Sequence, residues 1–314
     1  MDVIGFNIGT ARTIAHVYYR ASLRKPSENP LKQDHVELAL DPSPPLVHSH
    51  FMTIRERIIS EVKFLLGLFA FITVFFTLVW GHYKIPSESM QPTLEVGDHL
   101  YVSKYAYGYS RYSLPFGFDR LPFLKPGKIW SKLPKRGDVA VFKNPNTGMV
   151  MIKRVAGLPG DTIAVTGGRL ILNGQMIERD VMTNYLYRQH SGAFTARKKG
   201  LARFSPMAWP EGPVIGVDVY RESWPGEKES HVIYEQTDQG RLDNVGPFTV
   251  PEGHVFFMGD NRDNSIDSRA GNEGPGLVPL DHLIGRADLM MFSFKRCPEE
   301  EGLYCPPKRW FKKL

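Results

Sequence analysis

The hydrophobic positions of this chain fall into two regimes. Between residues 64 and 80 they form one block, "FLLGLFAFITVFFTLVW", diluted only by Gly67, Thr73 and Thr77. Beyond residue 95 they come in short runs that alternate with polar positions, many of them opened by a turn. The first regime predicts a membrane-crossing helix. Seventeen residues rising about 1.5 Å each reach about 26 Å, the short end of a hydrocarbon span. Gly81, His82 and Tyr83 prolong it, and Trp80 and Tyr83 suit the headgroup level, so the predicted helix covers residues 61–82. A cleavable leader fits poorly, because the block lies far into the chain and is followed by "GHYK" rather than by small residues.

The second regime predicts strands. "GDHLYV", "GDVAVF" and "GDTIAV" each pair Gly-Asp turn chemistry with an alternation of β-branched, aromatic and polar residues. "GRLILNGQMI" adds an Asn-Gly hairpin signal, "GMVMIKRV" predicts a strand over 149–155, and "HVFFMG" and "LIGRADLMMFSF" supply two more. No long stretch after residue 84 has a helical period. The expected fold is therefore mostly β: a partly closed antiparallel barrel over 83–295, behind one N-terminal transmembrane helix. Residues 178–245 are polar and irregular apart from "HVIYE", and are read as a small inserted domain. Residues 296–314 form a basic tail.

Residues 1–60 carry "PSENP" and "DPSPPLVHSH" and read as irregular sequence. Met52 opens a compact leader, "MTIRERIISEVKF", and residues 1–51 are read as an overextension of the start. The stretch 101–130 is crowded with aromatics and cations. Two readings of it stay open, a loop packed on the core and an apolar lip resting in the bilayer.

Composition and charge sharpen this outline. Twenty-nine glycines and 24 prolines in 314 residues favour a turn-rich β fold. A net charge of +6 suits lipid headgroups as readily as nucleic acid, and no nucleic-acid motif accompanies it. Arg55, Arg57 and Lys63 precede the apolar block, whereas Lys84 alone follows closely. The positive-inside rule then predicts a cytoplasmic N-terminus and an outer location for everything after residue 82. The two cysteines, Cys297 and Cys305, are spaced to close a small disulfide loop in an oxidising compartment.

The chemistry lies in two stretches. "YKIPSESMQPTL" sets Ser87 and Ser89 directly beyond the membrane helix. "GMVMIKRVAGLPGD" puts Lys153 among Met149, Met151 and Val155 on one face of a strand, an apolar setting for a charged group. An isolated lysine there is more often an edge-strand residue reaching for water. A buried one loses its proton readily and becomes a base for a serine that has no histidine partner. There is no GxSxG elbow. The SxxK matches, Ser22 to Lys25 and Ser60 to Lys63, lie before or at the membrane block and lack a KTG partner. No HExxH or EF-hand spacing occurs, and neither cofactor nor metal is expected.

"IPSESMQPTL", "RGDVAVFKNP", "MIKRVAGLPGD" and "GDNRDNSIDSR", in that order behind a membrane anchor, resemble the successive motifs of bacterial type I signal peptidases. The resemblance covers roughly residues 61–295. It implies a membrane-bound serine endopeptidase that removes signal peptides from secreted preproteins, with Ser89 as nucleophile and Lys153 as general base. It implies further that Ser87 helps bind the oxyanion, that Ser265 orients the lysine amine, and that Asp267 and Arg269 form a supporting ion pair. The substrates expected are preproteins with small residues at −1 and −3, and lipid is the other expected partner. The implied setting is a bacterial inner membrane, crossed once, with the catalytic domain periplasmic. A conjugation-type peptidase with one dedicated substrate, and a non-enzymatic membrane-anchored binding module, are the alternative readings.

Overall fold

The computed structural model describes residues 53–114, 119, 121, 125–189, 212–225, 230–293, 300–307 and 309–314. The expectations for residues 1–51 and for Cys297 fall outside them. Helix α1, Ile54–Leu78, carries the apolar block. None of its residues is buried and most of its large side chains are exposed, and it is long and apolar enough to cross a membrane. It starts earlier and stops sooner than the sequence predicts. Residues 80–84 are not its last turn but the first strand, because "WGHYK" pairs residue by residue with 99–103.

Strands β1 (Trp80–Lys84), β2 (Asp98–Ser103), β3 (Tyr109–Ser110), β4 (Lys128–Ile129), β5 (Val139–Lys143) and β6 (Val150–Gly157) come first. They are followed by β7 (Thr162–Thr166), β8 (Arg169–Leu172), β9 (Gln175–Met176), β10 (Glu178–Arg188), β11 (Val214–Ser223) and β12 (Ser230–Glu235). The chain ends with β13 (Val245–Thr249), β14 (His254–Met258), β15 (Val278–Pro279), β16 (Leu283–Ser293) and β17 (Trp310–Lys313). The main sheet is antiparallel and curls into a half-barrel in the order β1-β2-β16-β5-β6-β14-β15, with β17 joined to β16. Strand β16 is long enough to change partner, taking β5 along Leu283–Arg286 and β17 along Leu289–Phe292. So part of the expected tail is a strand of the main sheet.

The run "VAVF" in β5 shows why the centre of this sheet is apolar on both sides. Val139 and Val141 join a cluster with Ile85, Met90, Leu94, Leu100 and Met290. Ala140 and Phe142 face the other way, into Val155, Val255 and Phe257. With both faces covered, alternation gives way to continuous hydrophobicity. Tyr107 is buried in the second cluster, whereas Ile129 and Trp130 are 64% and 75% exposed. In the described part of the 101–130 stretch one end is thus packed on the core and the other is open.

Beyond the main sheet, β13-β7-β8-β9 form a four-stranded sheet and β10-β11-β12 a three-stranded one. Strands β10 and β11 are 11 and 10 residues long, where the sequence predicts irregular chain. Only one position of β10, Tyr187, is buried. A strand open on almost all of its surface has no apolar alternation to reveal it. Among the described residues no α-helix follows residue 84.

Candidate active site

Ser89 lies in the turn that leads from β1 to β2. The turn is held down by its own apolar residues: Ile85, Met90 and Leu94 enter the core, and Leu94 N–H donates to Met90 O at 2.8 Å. Seated on that anchor, Ser89 is only 7% exposed. Its hydroxyl stands 3.3 Å from Ser87 Oγ. Its backbone N–H donates to no group among the described residues.

Lys153 comes from β6, which the edge-strand alternative would have placed at a margin. The strand lies instead between β5 and β14, in the interior of the sheet. Lys153 is 4% exposed, and its Nζ donates to Ser89 Oγ. Desolvation lowers its pKa from 10.5 to about 8; Asp267 and Asp260 pull the other way, and Arg269 pushes it down further. A buried amine on a hydroxyl, with a pKa lowered to about 8, has the chemistry to act as a general base toward that hydroxyl.

The loop after β14, "GDNRDNSIDSR", builds the rest of the site. Gly259 is required where the loop meets the nucleophile, since a Cβ there would fall 2.5 Å from Ser89 O and 2.2 Å from Ser265 Oγ. Asn261 N–H donates to Ser89 O at 3.3 Å. Asp267 is fully buried and is bound by Gly259 N, by Ser265 Oγ at 2.8 Å and by Arg269 Nε at 2.9 Å. Burial alone would raise its pKa, but Arg269 and these hydrogen bonds hold it below the usual carboxylate value. Arg269 also reaches back to Arg262 O at 2.6 Å, so the ion pair fastens both ends of the loop.

All six residues singled out in the sequence therefore fall in one region, with one difference in detail. Ser265 was expected to bond the lysine amine. Its hydroxyl proton goes instead to the carboxylate of Asp267, the stronger acceptor, and the Lys153 amine turns to Ser89.

Two further residues that bind the loop were not singled out in the sequence. Arg154 faces away from Lys153 and grips Asp260 through Nε at 2.7 Å and Nη2 at 2.6 Å, tying β6 to the loop. Burial raises the pKa of Asp260, and the Arg154 guanidinium more than offsets it. The neighbouring lysine was the only pointer to Arg154. Glu222 on β11 binds Arg262 of the same loop from 40 residues away, and nothing in the sequence pairs them.

As for a metal, Glu235, Asp243 and Asp263 each bring a carboxylate oxygen within 4.8 Å of the others. Arg179 stands 3.1 Å from Glu235 and already supplies positive charge there.

Residues 58–292 match the family described as "Signal peptidase, peptidase S26". The Signal peptidase I of Rickettsia typhi is 35% identical over 219 residues, covering 69% of this chain and 74% of the relative. That of Rickettsia prowazekii is 34% identical over 248 residues, covering 77% and 85%. A crystal structure of a signal peptidase I from Enterococcus faecalis V583 aligns at 24% identity over 49% of this chain and 97% of the other, with a TM-score of 0.26.

Proposed function

This chain belongs to the signal peptidase family, peptidase S26, and on that premise we propose that Ser89 and Lys153 carry out its peptide hydrolysis. It is a membrane-anchored serine peptidase of the kind that removes signal peptides. The observation that carries the assignment is the buried Lys153 amine on the Ser89 hydroxyl, its pKa lowered to about 8.

Neutral Lys153 accepts the Ser89 proton as Oγ attacks the carbonyl carbon of the scissile bond. Negative charge then gathers on the carbonyl oxygen, toward which Ser87 Oγ–H and the unpaired Ser89 N–H are the available donors. Collapse expels the amine of the mature protein, which takes the proton from Lys153 and leaves an ester on Ser89. Lys153 next takes a proton from water as its oxygen attacks the ester carbonyl. The C–Oγ bond then breaks, the lysine ammonium returns the proton to Ser89 Oγ, and the signal peptide leaves with a free C-terminal carboxyl group. Asp267, Arg269, Asp260 and Arg154 hold the two strands and the loop in register for these steps.

The substrates in this proposal are preproteins with small residues at −1 and −3, presented at the membrane surface as the chain leaves the lipid. The catalytic domain faces the periplasm and the N-terminus the cytoplasm. In support, Arg55, Arg57 and Lys63 lie on the N-terminal side of the apolar block. Cys305 is disulfide-bonded, as suits an oxidising compartment.

The test is cleavage of a fluorogenic peptide with an Ala-x-Ala site by detergent-solubilised protein. Wild type should cut after the second Ala, and Ser89→Ala and Lys153→Ala should be inactive. Full activity in the lysine variant would mean that another group is the base.

A further inference from the structure

The inserted three-stranded sheet grips the loop that carries the nucleophile's contacts. Glu222, on β11, is 0% exposed and takes the Arg262 guanidinium through both carboxylate oxygens, one of them at 2.9 Å. Arg262 Nε closes the turn by donating to Gly259 O at 3.2 Å. On β12, Tyr234 N–H donates to Asp260 O and Arg262 N–H donates to Tyr234 O, both at 2.9 Å, a short parallel bridge between insertion and loop. On β10, Tyr187 OH receives Asn261 Nδ2 at 3.2 Å.

The loop residues held in this way pass the constraint on. Asn261 N–H donates to Ser89 O and its Nδ2 to Glu88 O, both at 3.3 Å. Gly259, closed into the turn by Arg262, abuts Ser89 O and Ser265. A chain of named contacts thus runs from the insertion through 259–262 to the backbone of the nucleophile.

We infer that Glu222 is a positioning residue for Ser89, acting through Arg262, and that the inserted sheet is part of the catalytic apparatus rather than an appendage. This rests on the assignment of Ser89 and Lys153 made above. A planar fork on a carboxylate fixes both distance and angle, so the Glu222–Arg262 pair sets where the turn stands. Arg179 Nε, from β10, braces the carboxylate in turn at 2.8 Å. Because near-attack geometry is sensitive to displacements of about 1 Å, loosening this clamp should reduce turnover and not substrate binding.

The experiment measures kcat and KM for the Ala-x-Ala peptide with full-length wild type, Glu222→Gln, Glu222→Asp, Tyr187→Phe and Ser89→Ala. Each is assayed well below its own melting midpoint. Glu222→Gln should lower kcat on the order of ten- to a hundredfold with KM within about twofold, and Glu222→Asp, which keeps the charge, should recover part of the loss. A folded Glu222→Gln with unchanged kcat, or with a raised KM alone, overturns the inference. If Glu222→Gln does not fold, Tyr187→Phe decides. A severalfold fall in kcat at constant KM supports the inference, and an unchanged kcat overturns it. Residual full activity in Ser89→Ala overturns the site assignment and this inference with it. A dead Ser89→Ala beside normal Glu222→Gln and Tyr187→Phe overturns this inference alone.

Discussion

The role proposed for Lys153 depends on desolvation. An ammonium in water keeps its proton far above neutrality, and burial in β6 brings the pKa down from 10.5 to about 8. The base is the neutral form, so peptide cleavage should rise with pH through about 8. A pH profile of kcat/KM checks this, and a rising limb near the ordinary lysine value would remove the burial argument. The same shift is a stability statement. The folded state binds the Lys153 proton less readily than the unfolded chain, so the cost is full below pH 8 and fades as pH approaches 10.5. Lys153→Met should therefore stabilise the protein at pH 7 by about 2 kcal/mol, from about 3 for the relieved shift less about 1 for the lost hydrogen bond. The gain should shrink toward pH 10, and urea titrations at both pH values measure it. Ser87→Ala removes one of the two donors proposed for the oxyanion and should cost about 10²–10³ in kcat without abolishing cleavage.

At the scale of elements, the site is the meeting of the β1–β2 turn, an interior strand and the loop after β14. The turn is placed by hydrophobic anchors, because Met90 and Leu94 draw it into the core. The loop is placed by charge, because Asp267 and Arg269 close on each other at 2.9 Å with both side chains buried. Removing one partner leaves the other's charge uncompensated, so Arg269→Met should cost about 3–5 kcal/mol and most of the activity. Chemical denaturation against the wild type checks the first part; a cost under 1 kcal/mol would show that the remaining bonds to Asp267 suffice. The loop motif was legible in the sequence, since it is a contiguous local signal, whereas the core placement of Met90 and Leu94 came only with the structure. Strand β10 was not legible, since it is exposed along most of its length and needs no alternation to hold its pairing. Strand β11 does alternate, with Val217, Val219 and Glu222 buried, but the buried Glu222 and the flanking charges break its apolar pattern.

For the whole molecule, the apolar helix and the β unit have separable tasks. Helix α1 exposes its apolar side chains along its length, while Ser89 and Lys153 draw their support from strands and loops beyond residue 79. A chain beginning at residue 79 should lose vesicle association in flotation assays. It should keep kcat on the short peptide within about tenfold, and cut a membrane-inserted preprotein much less well. An inactive truncated protein that is nonetheless folded would show that the helix contributes to the site itself.

The sequence by itself determined the long apolar helix, the β character of the rest, and the serine and lysine proposed for the site. These are written in contiguous residues, as an unbroken apolar block, Gly-Asp turns before alternating runs, and short motifs. Only the tertiary structure decided that Lys153 is buried on an interior strand, that the Ser265 hydroxyl turns to Asp267, and that Glu222 reaches the catalytic loop through Arg262. Each of these depends on which strand becomes the neighbour of which, and on how much water is then excluded. Pairing and desolvation are properties of residues brought together from distant parts of the chain, and no local pattern encodes them.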